Sequence, residues 1–124
     1  MATNRELADL FQQTADVLEL TGANRFRVVA FQKAARVVGD LTEDVAALAA
    51  DPDSLTEIDG IGKGMAERIV EFVETGKVEE HQQLISNVPP GVLDLLNVPG
   101  LGPKTAAVLW KQGGVESVDD LRAK

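Results

Sequence analysis

An apolar residue held between two glycines occurs twice in this chain, each time at the threshold of a helical pattern. One copy runs Ile58-Asp59-Gly60-Ile61-Gly62-Lys63-Gly64-Met65-Ala66; the other runs Val98-Pro99-Gly100-Leu101-Gly102-Pro103-Lys104-Thr105-Ala106. Glycines two apart impose a tight turn, because glycine reaches backbone conformations closed to other residues and weakens helix and strand interiors alike. An alanine follows the second glycine by four residues in both copies. Equivalent glycines lie 40 residues apart, a spacing within the range of helical repeat arrays. The segments between the turns do not match each other, so the pattern reads as two motifs on different helical frames.

The rest of the chain reads as helix, and no strand alternation occurs. Thr3-Asn4-Arg5-Glu6 has the form of a capping box, followed by a stripe of Leu7, Leu10, Phe11, Ala15 and Leu18. Gly22 is placed to end that helix in a left-handed cap. A second helix is expected from Phe26 to Val38, with Gly39 as its stop; Val28, Val29, Phe31, Ala34, Ala35, Val37 and Val38 make it apolar on much of its circumference and therefore central. Thr42 opens a third, ended by Asp51-Pro52-Asp53, and Ser54 caps a short fourth. A helix from Lys63 to Thr75 follows the first glycine turn, with Gly76 past its end, and another runs from Val78 to Ser86. Asn87-Val88-Pro89-Pro90-Gly91 cannot continue a helix and is the best boundary. The expectation is a small all-α helical bundle in two parts, residues 1–86 and 87–124. Val92 to Leu96 forms a turn of helix before the second glycine pair, and Pro103 sits at the first position of the next helix, where its missing N–H costs nothing. Ser117-Val118-Asp119-Asp120 caps a last helix that Lys124 cuts short, as in a piece of a longer protein.

A glycine turn opening a helix is the arrangement of a helix-hairpin-helix, and its chemistry is that of the backbone. The first N–H groups of a helix have no intrahelical partner and lie at the positive end of its dipole, so a phosphate oxygen satisfies both. The amides at Gly60, Gly62, Gly64, Gly102, Lys104 and Thr105 are the candidates, with Gly100 shaping the second turn. Lys63, Lys104 and Thr105 add charge or a hydroxyl. Such contacts read no bases. A turn that merely joins two helices would need the same glycines, but two copies favour phosphate. A mononucleotide loop lacks support, since there is no Walker pattern and no strand before either pair.

The net charge is −8, from 12 Lys and Arg against 20 Asp and Glu. A field of that sign repels nucleic acid, so binding has to come from local sites. Between Glu19 and Asp40 there is no acidic residue, and Arg25, Arg27, Lys33 and Arg36 all fall there. On a helix, Arg25, Gln32 and Arg36 share a face with Lys33 nearby. Arginine suits bidentate phosphate contacts, which makes Arg27 and Arg25 the best candidates for a phosphate role, with Lys33 beside them; a solvated helix face is the plain alternative. With no cysteine and one histidine, disulfides are excluded and a zinc site has little support. The lack of cysteine fits a reducing cytosol. No apolar run approaches a membrane span, and the N-terminus has no signal-peptide pattern. His81, flanked by glutamates and glutamines, reads as a solvated surface residue, as do Glu67, Glu71 and Glu74; Trp110 reads as packed.

In order, Asn4-Arg5-Glu6-Leu7-Ala8, Asn24 to Val28, Ala30 to Ala35, Ile58 to Ile69, Thr75-Gly76-Lys77, Val98 to Lys104 and Asp119 to Arg122 resemble the N-terminal region of bacterial-type family X DNA polymerases. The resemblance spans nearly the whole chain. It implies a lyase-type domain like that of polymerase beta at 1–86, gripping the 5′-phosphate side of a gap with Arg25, Arg27 and Lys33 as the 5′-phosphate ligands and with Lys63 and Arg68 as further DNA contacts. Residues 87–124 would begin the polymerase body. It further implies a monovalent cation (Na+ or K+) on the backbone carbonyls of Thr56, Ile58 and Ile61, and of Leu96, Val98 and Leu101. DNA, gapped or nicked and 5′-phosphorylated, would be the partner of a monomer in the bacterial cytoplasm, at the nucleoid, with the rest of the polymerase in cis. The carboxylate-bearing palm is not in this chain, so neither nucleotide addition nor the Mg2+ that serves it belongs to these residues. The family's lyase lysine corresponds to Arg68, and a guanidinium cannot form a Schiff base. Gly64 and Phe31 also stand where the family has a basic and a hydroxyl-bearing residue. Substitute amines would be Lys63, Lys33 or Lys77. The readings are therefore a DNA-binding region of a repair polymerase, a 5′-deoxyribose-phosphate lyase with a substitute lysine, or an acidic helix-hairpin-helix module that binds protein.

Overall fold

A computed structural model describes residues 2–96, 98 and 100–116 of the chain. Eight helices follow one another among them, with no strand: α1 Ala2–Leu20, α2 Arg25–Asp40, α3 Val45–Leu48, α4 Pro52–Thr56, α5 Lys63–Thr75, α6 Glu79–Ser86, α7 Pro90–Leu96 and α8 Pro103–Lys111. The final helix expected from Ser117 lies outside the described residues.

Two apolar clusters hold the helices together. The larger joins α1, α2, α3, α4 and α5 through Leu7, Phe11, Val28, Phe31, Val38, Val45, Leu55, Ile61 and Ile69. Phe11 of α1 meets Phe31 of α2 edge to face, centroids 5.8 Å apart at 66°. That is a favourable aromatic geometry. The smaller cluster, Val88, Val92, Leu95, Ala106 and Val115, closes on Val17 and Leu20 at the end of α1. The expected boundary at 86/87 falls between α6 and α7. α1 thus contributes buried residues to both cores, and Leu84 of α6 packs against both.

Helix ends explain most of the chain path. α1 ends as expected in a left-handed glycine: Gly22 has φ 79°, Ala23 N donates to Leu18 O, and Gly22 N donates to Glu19 O. Gly76 closes α5 the same way, with φ 80°. Several starts and stops differ from the sequence reading: α2, α6 and α7 begin at Arg25, Glu79 and Pro90 rather than Phe26, Val78 and Val92. α1 already includes Thr3, so Thr3 is not its cap. Asn4 instead is buried and reaches across the fold, donating to Glu43 O and accepting from Val45 N. Gly39 continues α2, which ends at Asp40 with Leu41 as its cap; a Cβ there would lie 3.7 Å from that of Ala8, so it is a place of helix contact. Asp44, not Thr42, caps α3 through Ala46 N. Asp51, not Ser54, caps α4 through Asp53 N, with Pro52 in the first turn. At α3 and α4 an aspartate carboxylate makes the cap, a role in which it is among the strongest residues. α2 is also less enclosed than its composition implies. Val28, Phe31, Ala34, Ala35 and Val38 are buried, whereas Val29 and Phe26 are exposed, Phe26 at 85 %.

Candidate nucleic-acid interface

Over the residues described in both, the two glycine turns have the same backbone hydrogen bonds. In the first, Ile58 N donates to Leu55 O at 3.1 Å, Ile61 N to Ile58 O at 3.0 Å, and Ala66 N to Gly62 O at 2.9 Å. In the second, Val98 N donates to Leu95 O at 3.1 Å, Leu101 N to Val98 O at 3.0 Å, and Ala106 N to Gly102 O at 3.0 Å. Gly60 and Gly100 take φ of 97° and 82°, a region that disfavours any side chain. Gly62 and Gly102 are extended, φ −83° in both, and cap α5 and α8 without a side-chain hydrogen bond.

The helix starts are open to a ligand. The first intrahelical bonds are made at Ala66 and Ala106, so the amides of Lys63, Gly64 and Met65, and of Lys104 and Thr105, precede them. Pro103 deprives the second turn of one donor. A Cβ on Gly62 or Gly102 would meet nothing within 4 Å. Lys63, Lys104 and Thr105 are exposed beside these amides. The Ile58 and Val98 carbonyls each accept one turn amide, which leaves a second lone pair on each.

Around the first turn, α2 adds a wall. A Cβ on Gly60 would lie 3.0 Å from Val37 Cγ2 and 3.2 Å from Lys33 Cε, so the lysine stem runs over the glycine. Gly100 has nothing comparable. Lys33 therefore belongs with the hairpin, a placement its helical wheel did not show.

The arginines gather differently from the sequence reading. Arg25 turns toward Glu19, 3.6 Å away. Arg27, at the start of α2, and Arg68, on α5, meet on one carboxylate, that of Glu80 on α6. Arg27 Nη2 binds Glu80 Oε1. Arg68 Nε and Nη2 lie 2.6 and 2.5 Å from Glu80 Oε2. Arg68 also donates from Nη1 to Gly64 O at 3.0 Å and lies over the Phe31 ring, 5.2 Å from its centroid. A guanidinium over an aromatic face is held by the ring quadrupole. Phe31, which has no hydroxyl to offer, thus supports Arg68 from below. The result is a partly buried cluster of two positive charges and one negative. Of the candidate lyase amines, Lys63 and Lys77 are exposed and Lys33 lies along Gly60.

Three features escaped the sequence reading. Glu80 was one acid among many, and its partners are 53 and 12 residues away. Phe26, flanked by Arg25 and Arg27, shows an exposed ring; an aromatic next to arginines was visible in sequence, but its orientation was not. His81 is not a solvated surface residue. Its Nε2 lies 2.6 Å from Gln13 Oε1, Nδ1 is buried without a partner among the described residues, and burial lowers its pKa below the usual value. It lines a groove of about 490 Å³ with Glu6, Asp9, Gln13 and Asp16 of α1 and Leu93 and Leu96 of α7. Burial also raises the pKa of Asp16, with Glu19 adding and a hydrogen bond from Gln12 opposing. Glu71 is likewise more than a solvated carboxylate, since it accepts from Glu79 N. Trp110 packs against the smaller core, as expected. Among the described residues, no group of three His, Cys, Asp or Glu is placed to hold a metal, and no helix is long and apolar enough to cross a membrane.

Residues 2–78 match a family described as a helix-hairpin-helix domain, and residues 92–124 match one described as a SAM-like helix-hairpin-helix tandem. The chain is 38% identical over 124 residues to the DNA polymerase/3′-5′ exonuclease PolX of Bacillus subtilis (strain 168), covering 95% of this chain and 20% of that protein. It is 28% identical over 120 residues to DNA polymerase lambda of Arabidopsis thaliana, covering 96% and 22%. With DNA polymerase lambda of Rattus norvegicus the identity is 27% over 120 residues, covering 96% and 20%. The chain spans about a fifth of the length of these relatives.

Proposed function

The chain belongs to the helix-hairpin-helix domain family, in the form found in the N-terminal region of family X DNA polymerases, and on that premise we propose that it grips gapped or nicked DNA at two points on the backbone. DNA is its partner. The two turns take phosphates on the amides at the starts of α5 and α8. A third anion site, formed by Arg27 and Arg68 with Lys33 nearby along the first turn, takes the 5′-phosphate at the edge of the gap. The observation that carries the reading is the common backbone of the two turns, each opening an uncapped helix with nothing in front of its second glycine.

Further parts of the proposal concern the surroundings. A monovalent cation would sit on the carbonyls of each turn and share a phosphate oxygen, and Phe26 would offer a face to an unstacked base. The chain would act as a monomer in the bacterial cytoplasm, at the nucleoid. Nucleotide addition would fall to a polymerase body in cis. Schiff-base chemistry has no place at Arg68, whose guanidinium is not an amine nucleophile and is engaged by Glu80.

Fluorescence anisotropy with a one-nucleotide gap, carrying either a 5′-phosphate or a 5′-hydroxyl, tests the proposal. Tighter binding of the phosphorylated gap is expected. Equal binding would remove the 5′-phosphate site, and no binding to any DNA would favour a protein-interaction module. Borohydride trapping on a 5′-deoxyribose-phosphate end should give no adduct; a stable adduct would establish a lyase with a substitute lysine.

A further inference from the structure

Glu80 occupies the site that the 5′-phosphate reading needs. Its two oxygens each take one guanidinium, and its side chain is 26% exposed. The arginines come from different elements, Arg27 from α2 and Arg68 from α5, and among the described residues no other acid pairs with either. The carboxylate is delivered from the first turn of α6, so the chain itself supplies it.

We propose that Glu80 is an internal competitor for this anion site: a carboxylate latch that a terminal phosphate displaces when DNA binds. The inference rests on the 5′-phosphate reading above. Carboxylate and phosphate use the same bidentate geometry toward arginine. A carboxylate brings one charge and two oxygens, whereas a terminal phosphate brings close to two charges and three oxygens. The phosphate can therefore take the fork from Glu80, and the carboxylate swings into solvent, for which its partial exposure leaves a path. In the free protein the latch keeps the two guanidiniums from pairing with other anions. Arg68 keeps its place throughout, held by the Gly64 carbonyl and the Phe31 ring. A residue that only positioned the arginines would act in the opposite direction, since its loss would loosen the site.

The test compares Glu80→Gln, Glu80→Asp and Glu79→Gln with the unaltered chain. Glu79 is exposed, and among the described residues its side chain accepts from Gln83 alone. Its substitution reports the loss of one negative charge alone. Glu80→Asp keeps the charge but shortens the reach, so any gain it shows is not due to net charge. Binding is read on the phosphorylated and hydroxyl gaps. Glu80→Gln should bind the phosphorylated gap about tenfold tighter or more, the scale of a lost charge-assisted competitor, with Glu80→Asp in between. On the hydroxyl gap neither should gain more than Glu79→Gln. Inorganic phosphate should raise the melting temperature of Glu80→Gln more than that of the unaltered chain, which keeps the idea testable if the variant is less stable. Unchanged or weaker binding of the phosphorylated gap by a folded Glu80→Gln would overturn the latch. If the unaltered chain, Arg68→Gln and Glu80→Gln all fail to distinguish the two gaps, the 5′-phosphate site itself is wrong. A phosphate preference that Arg68→Gln abolishes and Glu80→Gln does not increase sinks the latch alone.

Discussion

The two glycine turns share a backbone and differ in everything around it. The first is pressed against α2: Lys33 and Val37 lie on Gly60, and Arg27, Arg68 and Glu80 gather beyond Gly64. The second has open space at Gly100 and Gly102, one amide replaced by Pro103, and a small core closed by Val17 and Leu20 of α1. The backbone device is therefore general, and what it adjoins decides its use. One turn is part of a composite anion site; the other offers amides, Lys104 and Thr105 alone.

Substituting the positive-φ glycines separates the two effects most strongly. Gly60→Ala meets both an unfavourable backbone and a Cβ contact at 3.0 Å; strain of about 1–2 kcal/mol adds to overpacking of about 1–3 kcal/mol. Gly100→Ala meets only the first, about 1–2 kcal/mol. Chemical denaturation should show the larger loss at Gly60. Equal losses would mean that α2 yields freely and that the difference in surroundings has no energetic consequence.

The next contrast concerns DNA. Arg68→Gln should lower the preference for a 5′-phosphate by about tenfold, the scale of a charge-assisted hydrogen bond. Arg27→Gln should act in the same direction and less, because its side chain is 48% exposed against 29% for Arg68. Lys104→Ala should leave that preference unchanged. A smaller and more even effect is expected from Lys63→Ala and Lys104→Ala on total affinity. Each should weaken binding without regard to sequence and reduce the salt slope by about one. If only one of them alters the slope, only one turn contacts phosphate.

Much of this was legible in the sequence for a physical reason. Glycines at fixed spacing and an alanine at fixed offset specify a turn locally, and the structure repeats it bond for bond. Gly22 and Gly76 were legible because a left-handed cap is a single-residue requirement. The helix starts were less so. Threonine, serine and aspartate compete for a cap, and aspartate took it at Asp44 and Asp51 while Thr3 lay inside a helix. Asn4 shows the deeper limit: its partners, Glu43 O and Val45 N, are backbone groups about forty residues away, and no local pattern announces them. Glu80 was hidden for the same reason. A carboxylate in an acidic stretch gains its role only when α2 and α5 bring two guanidiniums to it.

The smallest expected effect lies on the seam between the two regions, where His81 of α6 faces α1 and the groove reaches Leu93 and Leu96 of α7. Burial holds the His81 pKa below its ordinary 6.5, so the folded chain favours the neutral ring. Between the folded and unfolded pKa values the unfolded chain binds more protons. Stability from this group is therefore complete above about pH 6.5 and declines as the pH falls below it. Asp16, with its pKa raised above 3.8, acts in the opposite sense: its contribution is present at low pH and is lost as the pH rises through its folded value. Acidification from pH 7 to 5 should thus lower the melting temperature of the unaltered chain more than that of His81→Gln. Because the groove borders the smaller core, the loss should appear first in hydrogen exchange of α7 and α8 and last around Phe11 and Phe31. Identical pH profiles for the two proteins would show that the seam does not couple the second turn to the ionisation of His81.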